Sequence, residues 1–185
     1  MLPCGHKVES LLTTKTLSVV PYGRGEGYPP ETLYHAWKAM ADAKALDHVF
    51  YEMPIRDLEA FCAYMSNAVL FLVVTREAPQ VVGLVWFTGV TPYKGSIGIW
   101  YRKELWGDYS RMLTSRVGTY VFHVFGWEAI WGFTPWRAAV QHGLKIGYKA
   151  VATLPQFVQV GTKVMDLHVV RLDNMVCRSR LAKKE

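Results

Sequence analysis

Charge is scarce in this 185-residue chain: Asp, Glu, Lys and Arg make up 19% of it, against 51% hydrophobic and 14% aromatic residues. That balance excludes intrinsic disorder, which needs high charge and few apolar side chains, and it fits one domain with a substantial core. Cysteine is scarce as well. Cys4, Cys62 and Cys177 are odd in number and far apart, which gives neither a disulfide framework nor a CxxC metal site, so reduced thiols are expected. Long apolar runs are missing. The longest, Ala68 to Val74, has the length of a strand and falls far short of the roughly 20 residues that cross a bilayer. The first residues, Met1-Leu-Pro-Cys-Gly-His-Lys7, lack a basic start followed by an apolar stretch, so no secretory signal is read and a cytoplasmic protein is expected. HExxH, GxSxG, a phosphate-loop lysine and Cys/His metal spacing are absent from the sequence. Hydrolase, kinase and metal-centre readings therefore have no foothold.

The net charge of +6 comes half from the end of the chain, where five basic and two acidic residues lie between Arg171 and Glu185. The remainder forms no Lys/Arg stripe, so nucleic acid is not the expected partner and an anionic small molecule suits the charge better. Gly23-Arg-Gly-Glu-Gly27 has GxGxG spacing, but it precedes Pro29-Pro30 instead of a strand-to-helix turn and reads as a loop on the substrate side.

Periodicity predicts a strand over Leu11 to Val20, a helix over Glu31 to Lys44 carrying Leu33, Trp37 and Met40, and a helix over Arg56 to Asn67 with Leu58, Phe61, Cys62 and Met65 on one face. Apolar runs Ala68 to Thr75 and Val81 to Thr88, joined by Arg76-Glu-Ala-Pro-Gln80, read as an antiparallel hairpin, with a further strand over Ser96 to Tyr101. From Trp106 to about Phe125 the pattern turns helical, with Leu113, Val117, Tyr120, Val121 and Val124 on one side. A strand over Glu128 to Phe133, a helix over Trp136 to Ile146 stopped by Gly147, and strands near Tyr148 to Leu154 and Lys163 to Leu172 complete the order. The expected fold class is α/β (α+β): one domain over residues 1–172, with a mixed, mostly antiparallel central sheet and helices on both faces, followed by a basic tail over 173–185.

Within that order, Trp127 to Tyr148 resembles the fifth strand and following helix of the GCN5-related N-acetyltransferase (GNAT) family, and Lys145-Ile146-Gly147-Tyr148 resembles the family's lysine, apolar, glycine, aromatic ending. The resemblance implies that acetyl-CoA is held where the fourth strand splays from the fifth and at the N-terminus of the next helix, with no metal. Carried onto this chain, the implied cofactor-binding residues are Ile99, Trp100 and Tyr101 on the strand, Trp106, Gly107, Asp108, Tyr109 and Ser110 in the loop and first turn, and Thr134 and Arg137 at the next helix. The family's phosphate pattern of closely spaced small residues is not met, because Tyr109 and Arg111 follow Gly107. The family's usual acid, a Tyr four residues before the last glycine, is Gly143 here. Candidate acids and bases are therefore Tyr101, Glu128 and His142, with Glu104 behind them.

The implied activity is transfer of an acyl group from CoA to a primary amine in a ternary complex, by an enzyme that forms a homodimer in many family members. The chain is also similar, in its degenerate loop and Trp-rich fifth strand and helix, to non-catalytic bacteriophage virion or head-assembly proteins of this fold. That second reading implies virion protein partners and no CoA.

Overall fold

The computed structural model describes residues 12–13, 17–22, 30–53, 55–77 and 80–174. Cys4, Cys177, the Gly23 to Gly27 loop and the basic residues from Arg178 onward lie outside them. Eight strands form one sheet in the order β1-β2-β3-β4-β5-β6-β8-β7. They are β1 (Leu12–Thr13), β2 (Leu17–Tyr22), β3 (Val69–Thr75), β4 (Val81–Thr88), β5 (Lys94–Tyr101), β6 (Ala129–Thr134), β7 (Lys149–Val160) and β8 (Lys163–Asp173). Every neighbouring pair is antiparallel except β5 and β6, which run parallel. The expected mixed, mostly antiparallel sheet is the one observed. Its helices are α1 (Pro30–Asp42), α2 (Leu46–Val49), α3 (Leu58–Met65), α4 (Asp108–Phe125) and α5 (Arg137–Ile146). No helix among the described residues is long and apolar enough to cross a membrane.

Two cores lie on opposite faces of the sheet. One joins Val69, Phe71, Val73, Val85 and Phe87 to Leu113, Val117 and Val121 of α4 and Ile146 of α5. The other joins Leu70, Leu72, Leu84 and Trp86 to Met40 of α1, Phe50 after α2, and Phe61 and Met65 of α3. Alternate residues of β3 and β4 thus enter different cores. With both faces covered, selection for alternation disappears and these two strands read as nearly continuous apolar runs.

Four expectations need correcting. The stretch Leu11 to Val20 is two strands: Leu12 and Thr13 fold back on Val19 and Ser18. β2 then continues through Pro21, where, among the described residues, β1 pairs only with Ser18 and Val19, a position at the sheet edge that tolerates proline. The single turn α2 has no side-chain cap and buries none of its residues, so it left no periodicity to detect. Val124 is 42% exposed; in the last turn of α4 it is Phe125 that packs inward, with its ring stacked on Trp127 at 5.4 Å. Finally, β7 does not stop at Leu154. Pro155 reads as a breaker, but the strand absorbs it in a bulge between Leu154 and Val158, where Gln156 takes a positive φ of 49° and donates its N–H to Asp166 Oδ1 at 3.0 Å. At the other end of the sheet, β8 includes Asp173, and Asn174 donates from its backbone to Glu128 O and from Nδ2 to Trp127 O.

Gly118 lies in the middle of α4 and is buried. A Cβ there would meet Leu172 Cδ2 at 3.6 Å and Ile130 Cδ1 at 3.8 Å, ordinary contact distances that cost nothing. Gly118→Ala is therefore expected to stabilise the fold by about 1 kcal/mol through the lower backbone entropy of alanine in the unfolded chain. Thermal unfolding should show a midpoint raised by roughly 2–4 °C; a lower midpoint would mean that the helix has no room against β6 and β8.

Candidate functional site

The parallel pair is where the sheet opens. β5 and β6 are in register from Lys94 opposite Ala129 to Ile97 opposite Gly132 and no further. Past that point β5 stays with β4 as far as Tyr101 opposite Gly83, and β6 stays with β8 as far as Thr134 opposite His168. Each strand follows its outer neighbour, so the strand ends part into a V. Successive residues of a strand turn their main-chain groups to opposite edges. Arg102 donates its N–H to Val82 O on the β4 side, so Tyr101 and Ile99 present theirs to the gap. The Tyr101 carbonyl accepts the Trp106 Nε1–H at 3.0 Å. Across the gap, the Phe133 carbonyl accepts the Tyr51 phenol at 3.0 Å.

Both strands lead into helices whose N-termini face this opening. A 3-10 turn, Lys103–Leu105, and Trp106 carry β5 to Gly107, which adopts φ 95° and ψ −129° as the N-cap of α4 with no side-chain cap. That torsion belongs to glycine. The hydroxyl of Ser110 donates back to Gly107 O at 3.0 Å and so leaves the first amide groups of the 18-residue helix unused by a cap. Orphan N–H groups and the positive end of the dipole at a helix N-terminus favour an anion. Arg111 pairs with the exposed Asp108 carboxylate, and Tyr109 is 51% exposed, so its ring is turned outward. At α5, Trp136 is the N-cap without a side-chain cap, and Thr134 Oγ1 accepts its N–H at 3.1 Å.

Of the residues singled out from sequence, Ile99, Tyr101 through its main chain, Trp106, Gly107, Asp108, Tyr109, Ser110, Thr134 and Arg137 thus gather around one opening. The Trp100 side chain is buried on the α1–α3 face. The Tyr101 phenol is buried against α4 and hydrogen-bonded to Thr114 Oγ1 at 2.9 Å; burial raises its pKa well above the usual phenol range. It faces the core and not the gap. Glu128 precedes the paired end of β6, six residues from Thr134, roughly 20 Å along a strand. Glu104 is exposed in the 3-10 turn. His142 is half-buried on α5, and its Nε2 is buried with no hydrogen-bond partner among the described residues. Desolvation first, then the charges of Arg111 and Lys145, hold its pKa below the ordinary value, so the imidazole is neutral at pH 7.

Sequence reasoning missed the residues that cross the opening from the other face. His48, in α2, accepts the Trp136 Nε1–H on its carbonyl at 3.2 Å, and the two rings meet at a tilt of 57° with centroids 4.8 Å apart. With the Tyr51 bond to Phe133, this forms a clasp tying the α2 segment to the β6–α5 connection. Its partners lie 82 and 88 residues apart, and no local pattern announces them. No cluster of His, Cys, Asp and Glu able to hold a metal occurs among the described residues.

No family model matches the sequence, and no curated protein matches it. Solved structures do match in three dimensions. The chain is similar to spermidine N-acetyltransferase from Vibrio cholerae in complex with CoA and spermine, at 13% identity over 89% of this chain and 99% of that one, with a TM-score of 0.71. It is similar to ribosomal-protein-S5-alanine acetyltransferase from Vibrio fischeri, at 12% identity over 88% and 96%, with a TM-score of 0.70. A probable acetyltransferase of the GNAT family from Chromobacterium violaceum aligns at 15% identity over 92% and 89%, with a TM-score of 0.70. The chain has the GNAT fold, as its sequence order led us to expect.

Proposed function

We propose that the protein is an acyl-CoA-dependent N-acyltransferase, with acetyl-CoA as donor and a primary amine as acceptor, working by direct transfer in a ternary complex. The observation that carries this reading is the V between β5 and β6, with free strand edge at Ile99 opening onto the uncapped N-terminus of α4. An extended arm with amide groups can pair with that edge as an added strand does, while Gly107 to Ser110 take the pyrophosphate and Thr134 and Arg137 flank the arm. The amine nitrogen attacks the thioester carbonyl carbon, the C–N bond forms and the C–S bond breaks, and one proton passes from nitrogen to the thiolate. Positioning two substrates supplies most of such a rate enhancement, so few obligatory side chains are needed. Of the three proton-handling candidates, His142 is the one not committed elsewhere, its buried Nε2 having no hydrogen-bond partner among the described residues; the Tyr101 phenol is committed to Thr114 and Glu128 belongs to the closed end of the strand pair. The acceptor approaches from the α1–α3 face, where an open groove of about 280 Å³ lies between Glu52 and residues Phe157 to Gln159. A carboxylate beside an exposed aromatic ring suits an ammonium group.

Calorimetric titration with acetyl-CoA tests the reading. Micromolar binding is expected, with ligand at a hundredfold excess over Kd stabilising the fold by about 2.7 kcal/mol. Absence of binding at millimolar ligand would overturn it and favour the second reading, a non-catalytic protein with protein partners. That alternative draws support from the gap's two edge carbonyls, on Tyr101 and Phe133, being already taken by Trp106 and Tyr51.

A further inference from the structure

The phenol of Tyr51 reaches the gap from outside the machinery assigned so far. It belongs to the turn after α2, on the face opposite α4 and α5, and it ends on the carbonyl oxygen of Phe133, the first β6 residue beyond the last β5–β6 pair. That carbonyl faces β5, where the strand edge of Ile99 has no β6 partner. Tyr51 is half-buried, and burial first, then the neighbouring Glu52 carboxylate and Tyr64, raise its pKa. It therefore keeps its proton throughout the neutral range and serves only as a donor to an acceptor oxygen in the gap.

We propose that Tyr51 donates a hydrogen bond to the thioester carbonyl oxygen of the acyl group bound in the β5–β6 gap, with the Phe133 carbonyl as its resting acceptor. The inference rests on the acyl-CoA reading above. An acyl-pantetheine arm lying along the gap offers its own amide N–H groups to the strand edges. When one of them takes the Phe133 carbonyl, the phenol is released within reach of the acyl carbonyl beside it. As the amine attacks, charge grows on that oxygen, and a donor already aimed there in a water-poor site stabilises the transition state more than the ground state. The second half of the clasp, Trp136 to His48, holds the α2 segment in place while Tyr51 changes acceptor.

The test is isotope-edited infrared spectroscopy of acetyl-CoA labelled with carbon-13 at the acetyl carbonyl, bound to the wild type and to Tyr51→Phe, together with CoA affinity by calorimetry. The expected result is a bound thioester stretch displaced to lower frequency in the wild type and returned toward the free value in Tyr51→Phe, with CoA affinity within about threefold because the Trp136 bond keeps the clasp. With spermidine as the acceptor probe, kcat should fall on the order of 10²-fold, the loss typical of one such donor. An identical stretch in both proteins overturns the proposal while leaving the acyl-CoA reading intact. Failure of the wild type to bind acetyl-CoA overturns that reading, and this inference with it.

Discussion

Gly107→Val is expected to weaken CoA binding by roughly 5- to 150-fold while the fold survives. The effect is torsional. A Cβ at this position meets nothing within 4 Å, so no clash arises, but φ 95° with ψ −129° is a conformation that a β-branched residue reaches only at a cost on the order of 1–3 kcal/mol. The chain relieves that strain by turning the Gly107 peptide, and the peptide it turns aims the first amide groups of α4. A loss of 1–3 kcal/mol in the fit of an anion to those groups corresponds to the stated range in Kd, at about 1.4 kcal/mol per tenfold. The control is Gly161→Val, in the β7–β8 turn, where φ is 60° and the space is equally open. It carries comparable strain away from the opening and should lower the thermal midpoint without changing CoA affinity. Calorimetric titration of the three proteins with CoA decides the matter. Unchanged affinity in Gly107→Val would remove pyrophosphate from the α4 N-terminus.

The central strands β3 and β4 were legible in sequence because they are covered on both faces: Val81 to Thr88 is apolar but for Gly83 and the closing Thr88, and β4 has those bounds. The end of α5 was legible for a local reason. Gly147 takes φ 106° and its N–H returns to the carbonyls of Gly143 and Leu144, a stop signal carried by one residue. The site was half legible. Residues near the strand-to-helix turns could be named from their order, yet facing depends on quantities that order does not encode. Tyr101 stands at the end of β5, but the alternation of the strand sends its ring to α4. Glu128 stands beside β6, but because β5 and β6 run parallel and pair at their beginnings, it belongs to the closed end. The clasp was not legible at all: Tyr51 meets Phe133 across 82 residues, and a four-residue helix is too short to show periodicity.

The same long-range pairing predicts the largest loss of stability, at Gly98. Trp86 and Gly98 are direct cross-strand partners on β4 and β5, and the indole lies flat across the glycine: an added Cβ would overlap Cε2 and Cζ2 and stand 2.5 Å from Nε1. The ring has nowhere to go. It is 3% exposed and stacked on Phe50 at 5.5 Å, within a core that also holds Phe61 and Leu84. Gly98→Ala is therefore expected to cost about 3 kcal/mol, at the upper end of ordinary overpacking. Urea denaturation should show the midpoint falling with the slope preserved. Trp86→Phe alone should also destabilise, by the cavity it opens, but the double variant should be more stable than the sum of the two losses by roughly 1–2 kcal/mol, because the smaller ring vacates the space the methyl group needs. Strict additivity would show that indole and glycine are not in contact. The consequence reaches the opening, since Gly98 is the first β5 residue without a β6 partner. From there to Tyr101 β4 is the only strand that pairs with it, and Trp86 is the clamp. Where Gly98→Ala pushes that clamp aside, the edge carrying Ile99 shifts, so the variant should lose CoA affinity even at temperatures where it remains folded.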